Sequence, residues 1–269
     1  MGVELIFAFV LLGVVVGIMA GLLGIGGGGI MVPVLASIFM VQGIPKESVV
    51  HLALGTSMAC IILTSFSSMR SHHKNGVVNW SLVKVMAIGM VLGTFSATFL
   101  IAYLSAKALA IFFAVFMAYV SINMFRNQTA QIEPSDINRV ELTGVTLGIG
   151  AVSALVSIGG GSLTVPYLTW RGINIRNAIG TSAALGFFIA TAGTLGYLIN
   201  GEFNAASTEF VTYTWGYIYL PAVLLVSIPS YFTAPLGAKL TQRLPINRLK
   251  KIFGVLLIVL SLKMLTPFI

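Results

Sequence analysis

Charged side chains are scarce in this sequence. Only 8% of its 269 residues are Asp, Glu, Lys or Arg, 57% are hydrophobic, and the mean hydropathy is +1.00. Apolar stretches of about 20 residues recur along the chain, as in proteins that cross a membrane several times. The longest polar segment, Arg126–Glu141, is too short for a soluble domain. The composition therefore predicts an all-α polytopic membrane protein, whose helices include Ser48–Met69 and Thr214–Leu236.

Cysteine and membrane-buried charge are also nearly absent. Cys60 is the only cysteine, so a disulfide within the chain is impossible, and we expect a structural thiol. No Asp, Glu, Lys or Arg falls at the centre of an apolar segment, whereas proton-driven pumps usually carry such groups. His72 and His73 lie next to Lys74, and we expect both to be solvated rather than metal ligands. The sequence thus predicts no catalytic residues, no metal and no cofactor, which argues against an enzyme.

Glycine, in contrast, is abundant and is concentrated at two places. GIGGGGIMVP runs from Gly24 to Pro33, and SIGGGSLTVP runs from Ser157 to Pro166. Lipid cannot satisfy loose backbone groups, so both clusters must be covered by protein or line a water-filled cavity. Each precedes a short apolar segment with a proline near its start, which is typical of a helix N-terminus. Helix breaks at matching places are typical of transporter substrate sites.

Tight helix packing is the alternative interpretation of such glycines. We favour it for Gly13, Gly17 and Gly21, which are spaced four residues apart and would lie on one face of a helix. For the two clusters it remains open beside the substrate-site interpretation.

An internal repeat extends beyond the glycine clusters. The same motifs follow each cluster in the same order: a Gly-Thr-Ser triplet, an Asn-Gly pair and a final apolar segment. Their positions are Gly55–Ser57 and Gly180–Ser182, Asn75–Gly76 and Asn200–Gly201, and Leu104–Met124 and Leu244–Met264. The series predicts two membrane halves at residues 1–126 and 139–269, joined by a cytoplasmic linker at 127–138. Each half is predicted to hold a glycine-broken helical hairpin followed by three spanning helices.

Loop charges indicate that the halves have opposite orientations in the membrane. The loop near Asn75 is basic and its counterpart near Asn200 is acidic, whereas the turn at Leu104 has one lysine and its counterpart at Leu244 is strongly basic. Because Lys and Arg concentrate on the cytoplasmic side, equivalent loops face opposite sides, as in an inverted-topology repeat. Both termini are then periplasmic or extracellular, and the net charge of +8 requires no nucleic-acid partner. Of the 15 Lys and Arg residues, those left outside are Lys46, Lys107 and Lys263.

The predicted substrate site lies between a first elbow, Gly24–Gly29, and a second elbow, Ser157–Ser162. An uncharged site made of helix N-termini and hydroxyls suits a small oxyanion better than a cation. Its export is downhill at an inside-negative potential, by about 2.3 kcal/mol per charge and 100 mV. Hydroxyls in spans often bond only their own helix, so that alternative stays open for part of the set. The candidate substrate ligands are Gly26, Gly27, Gly28, Gly29, Thr56, Ser57, Ser157, Gly159, Gly160, Gly161, Ser162, Thr181 and Ser182.

Several motifs together resemble the TauE/SafE family of membrane permeases, also called the sulfite exporter family. They include GLLGIGGGGIMVPVL, ALGTS, RSHHKNGVVNW, SIGGGSLTVPYL and AIGTSAALGF, and the resemblance covers nearly the whole chain. It implies transport of sulfite, related sulfur oxyanions or organosulfonates across the bacterial inner membrane, usually outward. Another anion such as thiosulfate, inward transport, and a membrane assembly protein without transport activity stay open as alternatives. A homodimer is compatible with the glycine faces, although packing within one chain would use the same residues.

Overall fold

The structure, a computed structural model, describes residues 2–126, 139–203, 212–243 and 246–266. This part of the chain is almost entirely α-helical, which confirms the predicted all-α membrane protein. Its helices are α1 (Val3–Leu23), α2 (Gly28–Val41), α3 (Lys46–Lys74), α4 (Trp80–Ile101), α5 (Ala106–Arg126), α6 (Arg139–Val156), α7 (Gly161–Trp170), α8 (Ile175–Phe203), α9 (Leu220–Arg243) and α10 (Ile246–Leu265).

Length and hydropathy identify candidate membrane spans within the described residues. These are α1, α3, α4, α5, α8 and the Leu220–Thr241 part of α9. In sequence order, α1 to α5 and α6 to α10 follow the two predicted halves, and each series begins with a hairpin broken at glycines. The predicted linker at 127–138 lies outside the described residues.

Two predicted helix boundaries were wrong. The helix predicted at Ser48–Met69 is α3, which continues to Lys74, and His72 in its last turns is buried against α1. The helix predicted from Thr214 begins only at Leu220. It is preceded by a short antiparallel hairpin of β1 (Thr214–Trp215) and β2 (Ile218–Tyr219).

The two series of helices pack against each other in a reciprocal way. The first helix of each series lies along the fourth helix of the other, so α1 packs on α9 and α6 packs on α4. Likewise α3 packs on α9 and α8 packs on α4, whereas the equivalent helices α3 and α8, and α5 and α10, pair directly. Neither series therefore forms a separate bundle, and the core lies between them.

Glycines allow the closest of these helix crossings. A Cβ atom added at Gly13, Gly17 or Gly21 would lie 2.4, 2.5 or 1.9 Å from a carbonyl oxygen of α9. On the equivalent pair, a Cβ atom added at Gly93 or Gly150 would lie 2.0 or 2.3 Å from a carbonyl oxygen of the opposite helix. The backbones are thus in direct contact, which confirms the packing interpretation of Gly13, Gly17 and Gly21.

The equivalent helices α3 and α8 run in opposite directions at the centre of the bundle. Met58, early in α3, contacts the backbone at Gly193, late in α8. Ser65, later in α3, lies at Gly186, earlier in α8. An antiparallel contact between equivalent helices is the geometry that a two-fold axis perpendicular to them would generate.

Candidate substrate site

The first elbow separates α1 from α2 by a series of left-handed backbone conformations. After Leu23 the chain passes through Gly24, Gly26 and Gly27, whose φ angles are 70, 72 and 83°. Such angles are strained for residues with a Cβ atom, which explains the glycines. Gly27 is the N-cap of α2, so the new helix starts directly at the break.

The second elbow repeats this geometry between α6 and α7. Gly160, at the same place in the motif as Gly27, has φ 75° and is the N-cap of α7. Ser157 replaces the first glycine of the other elbow and still adopts a φ of 49°. Its hydroxyl donates a 2.7 Å hydrogen bond to the carbonyl oxygen of Leu54, which compensates in part for this unfavourable backbone conformation.

The two elbows are in direct backbone contact with each other. A Cβ atom added at Gly26 would lie 3.1 Å from the Cα of Gly159. A Cβ atom added at Gly28 would lie 1.7 Å from the carbonyl oxygen of Ser157, and all these residues are buried. The two clusters therefore face one another, as the sequence predicts, and they are in contact. No sulfite-sized anion fits between Gly26 and Gly159 in this conformation.

The contact between the elbows is reciprocal. A Cβ atom added at Gly161 would lie 2.2 Å from the carbonyl oxygen of Gly24. In the repeated motif Gly161 corresponds to Gly28, and Gly24 corresponds to Ser157, so each elbow presents the same groups to the other. The central pair, Gly26 and Gly159, are each other's counterparts.

Side chains from other helices satisfy the carbonyl groups that the first break leaves without intrahelical partners. His72 Nε2 lies 2.9 Å from the carbonyl oxygen of Gly21, and the Thr241 hydroxyl donates a 2.8 Å bond to that of Leu22. The Ser182 hydroxyl donates a 3.1 Å bond to that of Gly24. These bonds explain how an open backbone is tolerated at membrane depth.

His72 was predicted to be solvated, and that prediction was wrong. It is fully buried, because α3 continues through it and turns its ring towards α1 rather than into a loop. Only the neighbouring His73 is exposed, and its Nδ1 accepts a 3.0 Å bond from the indole N–H of Trp80. The position of His72 next to Lys74 in the sequence therefore does not indicate its exposure.

Tyr197 forms a hydrogen bond next to the second elbow that is equivalent to the bond of His72 next to the first. Its hydroxyl donates a 2.9 Å bond to the carbonyl oxygen of Ala154, which corresponds in the repeat to Gly21. Both residues occupy the same place after the Gly-Thr-Ser triplet, in α8 and α3 respectively. Sequence reasoning missed both, although extending the repeat comparison beyond the triplets would have paired them.

The threonines of the two Gly-Thr-Ser triplets fasten the segments that lead into α9 and α4. The Thr56 hydroxyl oxygen accepts a 2.9 Å bond from the backbone N–H of Tyr219, and Thr181 accepts a 3.0 Å bond from that of Asn79. Both contacts are structural, and they hold the entries to α9 and α4 against the central helices.

The serines of the triplets differ from the threonines and from each other. Ser182 bonds the first elbow, as described above, whereas the buried hydroxyl of Ser57 has no hydrogen-bond partner among the described residues. The same holds for the hydroxyl of Thr164 in the first turn of α7. Ser57 and Thr164 thus retain hydrogen-bonding capacity close to the elbows.

The first-turn amides of α2 and α7 provide further hydrogen-bond donors. The first intrahelical bonds are donated by Ile30 to Gly27 and by Leu163 to Gly160. The N–H groups of Gly28 and Gly29 precede the first of these bonds in α2, and those of Gly161 and Ser162 precede it in α7. They have no intrahelical acceptor, because a helix leaves its first amides unpaired within itself. The positive end of each helix dipole lies at the same place.

Comparison with known proteins identifies the family. The family model described as "Sulfite exporter TauE/SafE" matches residues 9–264. The chain belongs to the TauE/SafE sulfite exporter family. The TauE/SafE match begins in α1 and ends in α10, so it includes both elbows and both Gly-Thr-Ser triplets.

Curated relatives of this TauE/SafE chain carry transporter names. A "Probable membrane transporter protein" of Haemophilus influenzae is 37% identical over 267 residues, which cover 96% of this chain and 98% of the relative. One from Methanocaldococcus jannaschii is 29% identical, covering 98% of this chain and 100% of the relative. No solved structure matches the chain significantly. Family and relatives, together with the six candidate spans among the described residues, identify a multi-pass membrane transporter.

Proposed function

We propose that this transporter exports a small sulfur-containing anion, sulfite or an organosulfonate, across the bacterial inner membrane. The observation that carries the proposal is the buried contact between the two elbows, each of which opens directly into a helix N-terminus. The family description supports the choice of a sulfur anion. The substrate class is otherwise argued from the donors that the elbows provide.

The anion binds when the elbows separate. N–H groups in the first turns of α2 and α7 then point at it from both sides, and the two helix dipoles favour its negative charge. The hydroxyls of Ser57 and Thr164, which have no partner among the described residues, complete the coordination. Separation of the pair Gly26 and Gly159 is the step that admits the substrate, so the conformation described above is closed to it.

The two halves act as inverted repeats in this proposal. The antiparallel contact of α3 with α8 and the reciprocal contact of the elbows support that arrangement. A substrate site on the pseudo-two-fold axis can then open alternately to either side by equivalent movements of the two halves. Combined with the loop charges, this arrangement predicts that both termini face outward.

The membrane potential supplies the driving force for export. Moving one negative charge outward gains about 2.3 kcal/mol per 100 mV, and a dianion gains twice as much. Among the described spans no carboxylate lies among the buried side chains, so the site offers an anion no repulsive charge. A cation would find no opposite charge there.

Flux through proteoliposomes tests the proposal. Gly27→Val and Gly160→Val should abolish sulfite flux while the protein still reaches the membrane. Their φ angles of 83 and 75° exclude a branched residue, and an added Cβ would lie 2.3 Å from Val16 or 2.5 Å from Ile189. Gly144→Val is the control, since nothing lies within 4 Å of its added Cβ.

Normal sulfite flux in both elbow variants would refute the proposed site. Competition among sulfite, sulfate, thiosulfate and a sulfonate in the same assay identifies the substrate. Preference for thiosulfate, or net uptake, would replace the proposed activity by a related permease activity. Absence of flux for all of them would favour a membrane assembly protein.

A further inference from the structure

The elbows are held by equivalent bonds, but only one of the two donors can bind a proton. At the second elbow Tyr197 donates to Ala154, and at the first elbow His72 lies 2.9 Å from the carbonyl oxygen of Gly21. Gly21 is three residues before Gly24, the first left-handed residue of the break. A change in the charge of this imidazole would therefore act directly on the turn of α1 that ends in the first elbow.

The hydrogen-bond geometry fixes the protonation of His72 in the closed conformation. A carbonyl oxygen only accepts, so Nε2 must carry the proton that it donates to Gly21. Nδ1 is buried and has no hydrogen-bond partner among the described residues. A neutral imidazole leaves this nitrogen as an unused acceptor, whereas an imidazolium would leave a buried N–H donor and a full charge without compensation.

The surroundings make an imidazolium at this place still less favourable. On α3 itself the nearest ionisable groups are Arg70, His73 and Lys74, and α9 contributes Lys239. All four are exposed and none is negative. Arg176 lies near the start of α8 and Arg243 at the end of α9. The other charged groups and the other histidine on these helices lie at their opposite ends, and they are Glu4 on α1, Lys46, Glu47 and His51 on α3, and Glu202 on α8. No described carboxylate lies beside His72 to pair with a second proton.

We propose that His72 is a proton-binding site of this transporter and that protonation of its Nδ1 opens the first elbow. The proton comes from water and binds the free lone pair of Nδ1, and no other bond forms or breaks. The charged ring needs water at Nδ1, which it reaches only when the end of α3 separates from the last turn of α1. Proton binding and the closed elbow therefore exclude each other, and acid favours the open form.

The second elbow lacks this response, because the tyrosine hydroxyl of Tyr197 does not gain a proton in the same range. The transporter is thus asymmetric towards pH although its two elbows are built alike. The consequence for transport rests on the proposed function, in which opening the elbows admits the anion. The opening itself requires no anion and can be measured without one.

Hydrogen–deuterium exchange of the full-length protein in nanodiscs tests the proposal. The quantity to measure is the exchange rate of the peptide covering 21–31 divided by that of the peptide covering 154–164. This ratio cancels the intrinsic pH dependence of exchange. Below about pH 6.5, where an accessible imidazole takes up its proton, the ratio should rise by up to about tenfold per pH unit.

His72→Gln is the decisive variant, because its amide nitrogen keeps a donor near the position of Nε2 but cannot titrate. The ratio should then be independent of pH. Tyr197→Phe is the matched control: it should speed exchange at the second elbow equally at all pH values and leave the slope of the ratio unchanged. If His72→Gln does not fold, His72→Tyr copies the side chain that the chain itself uses at the equivalent place.

A wild-type ratio that does not change with pH would overturn the proposal, and so would a His72→Gln ratio with the wild-type slope. A pH-dependent ratio in a protein that moves no sulfur anion would keep this inference and overturn the proposed function. The opposite result, anion flux without a pH-dependent ratio, would keep the function and overturn this inference.

Discussion

Replacing Gly28 by alanine adds a single methyl group at the contact between the two elbows. Gly28 has no positive φ, so alanine meets no backbone strain there. Its Cβ, however, would lie 1.7 Å from the carbonyl oxygen of Ser157 and 2.8 Å from the carbonyl carbon. The whole effect of the substitution must therefore come from crowding between the elbows.

The size of the effect follows from the contact distance. Carbon and carbonyl oxygen normally approach to about 3.3 Å, so the elbows must move apart by roughly 1.6 Å. Both partners are backbone, which cannot yield as the end of a long side chain can. Overpacking of this kind costs about 1–3 kcal/mol. The cost falls on the closed conformation, and if each transport cycle must return through it, sulfite flux falls by about five- to 150-fold.

Two assays measure the two parts of this effect. Thermal unfolding of the purified protein should show a lower midpoint for Gly28→Ala, and proteoliposome flux should show the loss of transport. Gly148→Ala is the matched control, because it lies in α6 with nothing within 4 Å of an added Cβ. Alanine there should raise stability by up to about 1 kcal/mol, since glycine is a poor helix former.

Identical behaviour of Gly28→Ala and Gly148→Ala in both assays would refute the reasoning. It would mean that the elbows are not in contact, or that their contact is unimportant for transport. A lower midpoint with normal flux would limit the contact to a structural role.

Two further substitutions test contacts around the site. Thr241→Val should cost about 1–3 kcal/mol in thermal stability, because the buried carbonyl of Leu22 loses its donor; Thr191→Val, whose hydroxyl bonds only its own helix, is the control and should change little. Arg171→Gln should lower the unfolding midpoint, because the guanidinium forms an ion pair with Glu141 and lies against two aromatic rings of α7. Part of the second effect should vanish in 1 M salt, which screens the ion pair but not the ring contacts, and an unchanged midpoint at low salt would contradict it.

The helical architecture could be predicted from sequence because apolar segments of spanning length are a strong signal. The segment before α9 shows where that signal fails. Residues 214–219 are apolar and aromatic, so hydropathy extends the helix through them. What stops it is tertiary: Tyr213 and Gly216 adopt φ angles of 67 and 54°, and the backbone at Gly216 packs directly on Gly201 of α8.

The candidate site was predictable in its glycines but not in its hydrogen bonds. A run of glycines in an apolar segment predicts a break in the helix whatever residues surround it. The partners of the broken backbone come from distant segments, as His72 reaches Gly21 and Thr241 reaches Leu22. Local sequence does not predict such distant pairs. Only the internal repeat indicates them, because it aligns His72 with Tyr197.

The pairing of α1 with α9 sets the order in which the protein can be completed during synthesis. The glycine face of α1 has its packing partner in α9, which is the ninth of the described helices in chain order. Until residues 220–243 are inserted, the first helix remains in lipid without its close neighbour. We expect that chains interrupted between the halves leave α1 loosely held, and that supplying residues 139–269 as a separate polypeptide restores it. Assembly of the bundle is therefore a late event that joins both ends of the chain.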